Sequence, residues 1–580
     1  MDYSLKIGGE AGQGIQTVGD TLARVFSRTG YHVFTHQDYE SRIRGGHNFF
    51  QIRFSDKPLT ASRDRIDIIV ALDKESISLH QKELTQNGVI IYDSGMIGNP
   101  QTPSSAEGGG MRFLDIPFVG LAMEHGGSKI MANTVATGAV LGMLRLDPEI
   151  LGGIIEAAFK KKGEDIINAN IKAARSGYDF AVKSCQQCSF SAASPSEPKM
   201  LMAGIDSIAL GAIASGCKFY SAYPMTPSTG IMNYLAGKEQ EYGIVVEQAE
   251  DEIAAINMAL GASFAGVRAM TGTSGGGFAL MVEGLSLAGM TETPVVIAVG
   301  QRPGPATGLP TRTEQADLLF VLHAAHGEFP RVIFAPGTPE QAFYLTNKAF
   351  DIAEKYQVPA FIIFDQYLAD SEWTFKGFDL RKTTYRDYRM RADKLKELSS
   401  YKRHALTETG VSPLGIPGDS KHLITTDSDE HDEEGHIIED AETRVKMVEK
   451  RLLRKLPLIR QEIDAPFLYG SGQPEIVIAG WGSTFGVMKE VTDILSKDKN
   501  IAMLHFSEIY PFPAGKSDYL KVLENAKLSV CIENNATGQF ASLMRTETGY
   551  EFKARINKYD GRPFTVEGLL DSLSHVAHAY

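Results

Sequence analysis

Four carboxylates, Glu247, Glu250, Asp251 and Glu252, stand directly ahead of a run of small apolar residues in "VEQAEDEIAAINMALG". Acids at a helix start meet free N–H groups and a partial positive charge, and each contributes about 0.3 to 1 kcal/mol there. That accounts for such a cluster without any chemistry. The alternative is that the helix carries one of these acids into a buried pocket, where apolar walls and like-charged neighbours suit a carboxyl to proton transfer. From this stretch alone both readings stand.

Further candidates flank the acids. "FYSAYPMTPSTG" sets Tyr223, Thr226, Ser228 and Thr229 around Pro224 and Pro227, directly after an apolar segment. The prolines stiffen a hydroxyl-lined turn at an expected strand end, which is where open α/β sheets bind ligands. "MTGTSGGGFALM" is a glycine-rich turn opening a helix, a feature that lets backbone N–H groups approach an anion and is weak evidence alone. In "PVVIAVGQRPGPATGLPTRTEQADL", Arg302 and Arg312 lie in a Gly/Pro-rich loop after an apolar run. Arginine forks grip carboxylates through two parallel hydrogen bonds, so both are candidates for a carboxylated substrate. Arg312 reads equally well as a loop arginine paired with Glu314.

These residues need elements to position them, and the pattern predicts α/β layers throughout. At 580 residues the chain is too long for one ordinary domain. Residues 1–185 alternate strand and helix signals: "YSLKIGGEAGQG", "IQTVGDTLARVFSRTG", "HNFFQIRF", "IDIIVAL" and "GVIIYD". A Ser/Pro-rich stretch makes 186–198 an expected linker. A second α/β domain spans 199–375, with "PVVIAVG", "RVIFAPG" and "PAFIIFD" suited to buried parallel strands. Residues 376–470 form a connector of two charged helices, "YRMRADKLKELSSYKR" and "AETRVKMVEKRLLRKL", around an acidic segment. A third α/β domain is expected over 471–580, from "EIVIAGWGST", "IAMLHFSEIYPF" and "LSVCIENN".

Composition excludes several classes. With 43% hydrophobic and 22% charged residues the chain buries sizeable cores. A formal charge of -13 argues against nucleic-acid binding, which wants a basic face. No apolar run reaches the roughly 18 to 20 residues of a membrane span, and "MDYSLKIGGEAGQG" lacks a signal peptide's basic start, so the chain reads as cytoplasmic. Cys185 and Cys188 form a lone CxxC, and Cys217 and Cys531 lie too far off to complete a four-ligand metal or iron–sulfur site. The CxxC therefore reads as linker or surface dithiol. The eight carboxylates and two histidines of "DSDEHDEEGHIIED" lack calcium-loop spacing and read as a solvated acidic loop. "GGEAGQG" is a GxxGxG, not the GxGxxG dinucleotide fingerprint, and is expected to be a tight turn after the first strand.

Taken in order, "YPMTPSTG", "EDEIAAINMALG", "TSGGG" and "VGQRPGPATGLPTRTEQADL" resemble the α subunit of the 2-oxoacid:ferredoxin oxidoreductases, most of all those acting on 2-oxoglutarate. "GGEAGQGIQTVGDTLA" and "RGGHNFFQIRF" are similar to that family's γ domain, here fused ahead of α, and the last domain resembles its transketolase C-terminal-like module. The resemblance covers nearly the whole chain and implies a pyrimidine-binding-type fold for the second domain.

The resemblance implies thiamine diphosphate as cofactor, with a glutamate that shares a proton with its pyrimidine ring. In thiamine enzymes this glutamate precedes a glycine by nine residues on one helix, and Glu252 with Gly261 fits, whereas Glu247, Glu250 and Asp251 do not. Tyr223 and Pro224 are expected beside the cofactor. Thr226 is expected at the substrate's 2-oxo or carboxylate oxygens, Arg302 at its carboxylate, and Arg312 at the distal carboxylate of 2-oxoglutarate. No GDG occurs in the 580 residues, so the diphosphate, Mg2+ and a [4Fe-4S] cluster are assigned to a β subunit, in an (αβ)2 assembly. The implied reaction decarboxylates a 2-oxoacid, passes electrons to ferredoxin and releases an acyl-CoA, with CoA as cosubstrate. Pyruvate, branched-chain or aryl 2-oxoacids are alternative substrates, and a noncatalytic scaffold is the alternative of another class.

Overall fold

The computed structural model describes residues 1–42, 45–98, 111–185, 190, 197–513 and 518–579. The expected linker 186–198 lies mostly outside the described residues, as does Cys188. Cys185 is itself buried, which does not fit a surface dithiol. Among the described residues no helix is long and apolar enough to cross a membrane.

The chain divides into two compact units. The first comprises residues 1–202 with 371–377 and 565–567. Its eight-stranded sheet runs Arg112–Asp115, Leu84–Tyr92, Ile66–Ala71, Asp2–Ala11, Gly45–Ser55, His32–Asp38, Glu372–Phe375, Met200–Ala203. The first four strands are mutually parallel, and Asp2–Ala11 pairs antiparallel with Gly45–Ser55. The helix Ile15–Thr29 buries Ile15, Val18, Leu22, Val25 and Phe26 on one stripe and stops at Gly30 in the left-handed region. Its entry is the GxxGxG stretch, where Gly12 and Gly14 take φ of 94° and 81° and turn the chain off the first strand. Asn133 Nδ2 donates to Gln13 O at 2.9 Å and pins that turn. Helices Ala132–Leu144 and Glu164–Ser184 meet at Gly138, Gly142 and Gly177, where any Cβ would come within 2.0 to 2.3 Å of a backbone oxygen on the facing helix.

The second unit holds the candidate residues. Its seven-stranded sheet runs Glu508–Tyr510, Val332–Phe334, Pro359–Asp365, Val295–Gln301, Arg268–Ser274, Cys217–Ala222, Val245–Gln248. The strands Val295–Gln301 and Pro359–Asp365 are buried at every residue, as short apolar runs between covering helices should be. All neighbours are parallel except Glu508–Tyr510, which joins Val332–Phe334 antiparallel from far along the chain. A five-stranded sheet follows, in the order Phe467–Gly470, Ile501–Phe506, Ile476–Trp481, Leu528–Glu533, Ala554–Asn557. One apolar core runs across both sheets, from Phe278, Phe361 and Ile333 to Trp481, Phe506 and Phe540.

The connector departs from expectation. Only Ala392–Glu397 of "YRMRADKLKELSSYKR" is helical. "AETRVKMVEKRLLRKL" is one rod of helix Ala441–Val448, π-turn Glu449–Arg454 and helix Lys455–Glu462, but it buries Lys450 and Lys455. Both lysines contact Glu292, whose carboxyl also meets His404 Nδ1 at 3.1 Å. The acidic segment is likewise engaged: Glu430 accepts from both Nη atoms of Arg451 at 2.8 and 2.7 Å, and the His431 side chain is fully buried. These are structural partners, not a wholly solvated loop.

Candidate active site

Three strand ends and two helix starts build the site. Strand Cys217–Ala222 runs into the turn 223–228, in which the Thr226–Pro227 peptide is cis. Pro227 seats on Gly300, where a Cβ would lie 2.8 Å from the ring. At Gly272 on the next strand a Cβ would stand 2.3 Å from Tyr220 Oη, with Ser228 Cβ in ordinary contact at 3.7 Å. The missing side chain at Gly300 thus gives the hydroxyl-lined turn its seat, and that at Gly272 makes room for the Tyr220 hydroxyl.

Strand Val295–Gln301 ends beside that turn and hands over to Arg302, whose Nη1 donates to Thr226 O at 2.8 Å. Thr226 and Arg302 are therefore held together, and the arginine fork keeps further donors for a carboxylate. Arg312 sits farther along the loop, half-buried, its Cβ and Cγ against Gly561. Tyr223 is 41% exposed and Pro224 half-buried at the rim of the turn.

The four acids separate cleanly. Glu247 and Glu250 are exposed, and Asp251 is the N-cap of helix Glu252–Phe264, accepting from Ala254 N at 2.7 Å. Glu252, the first helical residue, is 4% exposed, and its Oε1 is buried without a hydrogen-bond partner. A carboxylate oxygen left unmatched in this way is costly unless a donor comes to it. The Glu252 side chain reaches the first turn of helix Gly275–Thr291, where a Cβ on Gly277 would stand 2.4 Å from Oε1.

That same helix start draws in residues the sequence reading passed over. Ser274 caps the helix without a side-chain hydrogen bond, and its Oγ and Thr271 Oγ1 are buried and unpartnered. Asp317 stands over Gly275, with both carboxyl oxygens 2.6 Å from where a Cβ would lie. Burial lifts the Asp317 carboxyl to about 6, against the pull of Arg302. Burial draws Arg302 below its ordinary value, and Asp317 opposes this. Glu314 is raised by burial and by Asp317. Gln315 ties the loop to the second sheet, with Nε2 donating to Trp481 O at 2.9 Å and Oε1 accepting from Asn534 N at 3.0 Å. Asp317 and Gln315 lie in the "TRTEQADL" stretch, read above only for Arg312 and its neighbour Glu314.

The first turn of helix Gly275–Thr291 thus lies between the buried Glu252 carboxyl at Gly277 and the Asp317 carboxyl at Gly275. Such an arrangement can receive an anion on Arg302 and offer a buried carboxyl to a ring nitrogen at Glu252. Glu252 Oε1 and the side-chain-free Gly277 fit the aminopyrimidine of thiamine diphosphate. Among the described residues no group of three His, Cys, Asp or Glu could hold a metal ion.

Comparison with known proteins agrees. Residues 210–450 match the family model described as pyruvate flavodoxin/ferredoxin oxidoreductase, thiamine diphosphate-binding, and residues 4–180 match the pyruvate ferredoxin/flavodoxin oxidoreductase model. The chain is 33% identical to the 2-oxoacid:ferredoxin oxidoreductase subunit alpha of a Sulfolobus species, over 99% of this chain and 97% of that one. It is also 33% identical to the 2-oxoglutarate synthase subunit KorA of Methanocaldococcus jannaschii, over 57% of this chain and 87% of the relative. The solved 2-oxoglutarate:ferredoxin oxidoreductase of Magnetococcus marinus, with 2-oxoglutarate, coenzyme A and succinyl-CoA bound, superposes with a TM-score of 0.90 at 31% identity, covering 99% of both chains.

Proposed function

The chain belongs to the α subunits of the 2-oxoacid:ferredoxin oxidoreductases, and from that premise we propose that it converts 2-oxoglutarate and CoA to succinyl-CoA and CO2 on thiamine diphosphate shared with a β subunit. The electrons pass to ferredoxin, and the same site runs the reverse reaction when ferredoxin is reduced. The observation that carries this reading is the buried, unpartnered Glu252 Oε1 over Gly277, within the region matching a thiamine diphosphate-binding family. Thiamine diphosphate, when bound, supplies the nucleophilic carbon that attacks a 2-oxo group and the electron sink for decarboxylation.

Each residue of this chain has a task. Glu252 holds a proton at Oε1 for the pyrimidine ring, with Tyr223 and Pro224 at the cofactor's edge. Arg302 binds the carboxylate common to all 2-oxoacids, and the Thr226 hydroxyl donates to the 2-oxo oxygen. Arg312 takes the distal carboxylate of 2-oxoglutarate. That substrate is supported by the two relatives named for it.

The β subunit brings the diphosphate site, Mg2+ and the [4Fe-4S] cluster, which is supported by the missing GDG and the scarcity of cysteine in this chain. On the helices that carry Glu252 and Gly277, Ile253, Met258 and Leu280 are 48%, 40% and 50% exposed, apolar side chains suited to burial against a permanent partner. The assembly is (αβ)2 and works in the cytoplasm.

The test is CoA-dependent ferredoxin reduction by the chain alone and after co-expression with its β subunit, on a panel of 2-oxoacids. Activity is expected only in the complex, with the highest kcat/KM on 2-oxoglutarate. A preference for pyruvate, branched-chain or aryl 2-oxoacids overturns the substrate assignment, and full activity of the isolated chain overturns the shared site. A complex without 2-oxoacid activity makes the chain a scaffold.

A further inference from the structure

We propose that the last domain gauges substrate length: Asn534 and Gly561 are positioning residues that seat the stem of Arg312 and so fix how far from Arg302 a second carboxylate is met. The inference rests on the reading of Arg302 and Arg312 as the two carboxylate ligands and adds what holds them apart.

The loop 302–317 is fixed at its two ends by different parts of the unit. Arg302 leaves strand Val295–Gln301 and its Nη1 donates to Thr226 O at 2.8 Å, so the seven-stranded sheet sets its place. At the far end Gln315, 1% exposed, spends backbone and side chain alike on the last domain. Its N donates to Asn534 O at 2.7 Å, its O accepts from Asn535 Nδ2 at 3.1 Å, and its amide joins Trp481 O and Asn534 N as described above. Between these anchors the loop folds on itself, with Leu309 N donating to Pro303 O at 3.0 Å and Arg312 N to Leu309 O at 3.1 Å. Arg312 therefore goes where the anchors put it.

Arg312 also lies directly on that domain. Gly561 has a φ of 76°, in the left-handed region, and a Cβ there would stand 3.3 Å from Arg312 Cβ and 3.2 Å from Leu309 Cδ1. Only glycine supports the arginine's stem this closely. Thr313 N donates to Gly561 O at 3.3 Å and fastens the next residue to the same point. The segment 558–562 that carries Gly561 is held by Asn534, which is 3% exposed and whose Nδ2 donates to Lys558 O at 3.1 Å and to Arg562 O at 3.2 Å. Arg562 N closes the segment onto Asp560 Oδ1 at 3.0 Å. Asn534 thus grips the Gln315 anchor through its backbone and the seat of Arg312 through its side chain. Two arginines fixed separately in this way discriminate between dicarboxylic acids that differ by one methylene, since a misplacement of about 1 Å is enough to cost about a hundredfold. Neither Asn534 nor Gly561 touches substrate; both act through Arg312.

The experiment measures kcat and KM of the αβ complex on 2-oxoglutarate, on 2-oxoadipate, which is one methylene longer, and on 2-oxobutyrate, which has no distal carboxylate. The native protein is compared with Asn534→Ala, Gly561→Ala and Arg312→Ala. Asn534→Ala deletes both bonds to the segment 558–562 while its backbone keeps Gln315. Gly561→Ala leaves the Asn534 bonds in place and pushes on the Arg312 stem, so it decides the matter alone if Asn534→Ala fails to fold. Both variants are expected to raise KM for 2-oxoglutarate about tenfold to a hundredfold with kcat held, and to narrow the preference for 2-oxoglutarate over 2-oxoadipate. Native length preference in the folded variants overturns the inference. An equal loss on 2-oxobutyrate also overturns it, because a merely structural role lowers all three substrates together. Arg312→Ala separates the two levels: an unchanged ratio of kcat/KM between 2-oxoglutarate and 2-oxobutyrate in that variant overturns the Arg312 assignment and this inference with it. A lowered ratio there, beside native length preference in Asn534→Ala and Gly561→Ala, overturns this inference alone.

Discussion

The carboxyl of Glu252 occupies the space a side chain at Gly277 would need: a Cβ there would stand 2.4 Å from Glu252 Oε1 and 2.2 Å from Thr273 Oγ1. Gly277→Ala gains helix propensity, roughly 0.5 to 1 kcal/mol, but overpacks a closed site at about 1 to 3 kcal/mol. The glutamate is the movable party. We expect a small change in melting temperature beside a large loss of kcat in the αβ complex, and an unimpaired kcat would mean the position of this carboxyl does not matter.

Glu252→Gln keeps the volume but cannot exchange a proton as a carboxyl does. General acid–base contributions run to about 10²- to 10⁴-fold, and a loss of turnover in that range is expected with folding and assembly intact. Glu247→Gln and Glu250→Gln, at exposed positions, should stay within a few fold. Steady-state kinetics of the three variants decides, and sensitivity at Glu247 in place of Glu252 would sink the assignment.

Arg302→Ala should impair every 2-oxoacid, since the contact it loses is to the carboxylate they share. Arg312→Ala should lower kcat/KM for 2-oxoglutarate about a hundredfold, in line with about 2 to 5 kcal/mol for a lost partner of a buried charge, while sparing pyruvate. Equal losses on both substrates in Arg312→Ala would remove it from the specificity pocket.

Glu292 answers two buried lysines, Lys450 and Lys455, and its own carboxyl is held well below the usual range despite burial. Breaking a buried ion pair by removing one partner costs about 3 to 5 kcal/mol because the other charge stays behind. Glu292→Gln should destabilise the connector by that order. The triple variant Glu292→Gln, Lys450→Met, Lys455→Met should be milder, and denaturant midpoints that rank them the other way would refute the charge argument.

His505 is fully buried with Nε2 donating to Gly482 O at 2.9 Å, and burial lowers it to about 4. A histidine whose folded pKa lies below its unfolded 6.5 contributes stability above pH 6.5 that is lost as pH falls through about 4. The loss is on the order of 3 kcal/mol. Urea titrations at about pH 7 and about pH 4.5 should differ more for the native chain than for His505→Gln; identical shifts would assign the acid sensitivity elsewhere.

What could be read from the sequence follows from how local the signals are. "PVVIAVG" and "PAFIIFD" announce buried parallel strands because each carries its apolar run in contiguous residues, and both form such strands. The acid cluster announced a helix start, and helix Glu252–Phe264 begins there with Asp251 as cap. Lys450 and Lys455 were illegible as core because a charged helix normally reads as a solvated face, and the carboxylate that justifies their burial lies far back in the chain at Glu292. "YRMRADKLKELSSYKR" has helical propensity, but Arg389 is spent on Asp387 and the carbonyl of Gly266, Arg391 on Asp387, and Arg403 on Gln357 and the carbonyls of Thr291 and Glu292, and only a short turn of helix survives. Asp317 was overlooked because its significance is its position over Gly275, a relation no spacing rule encodes.

The strand Glu508–Tyr510 takes the outer place beside Val332–Phe334, although it is made long after the rest of that sheet. A chain emerging from the ribosome therefore carries an open sheet edge from the moment Phe334 folds until Glu508 has been delivered. Synthesis interrupted in that interval leaves a bare strand able to recruit a neighbouring chain. Completion of this sheet therefore waits on Glu508–Tyr510, which ties its folding to that of the five-stranded sheet sharing its core.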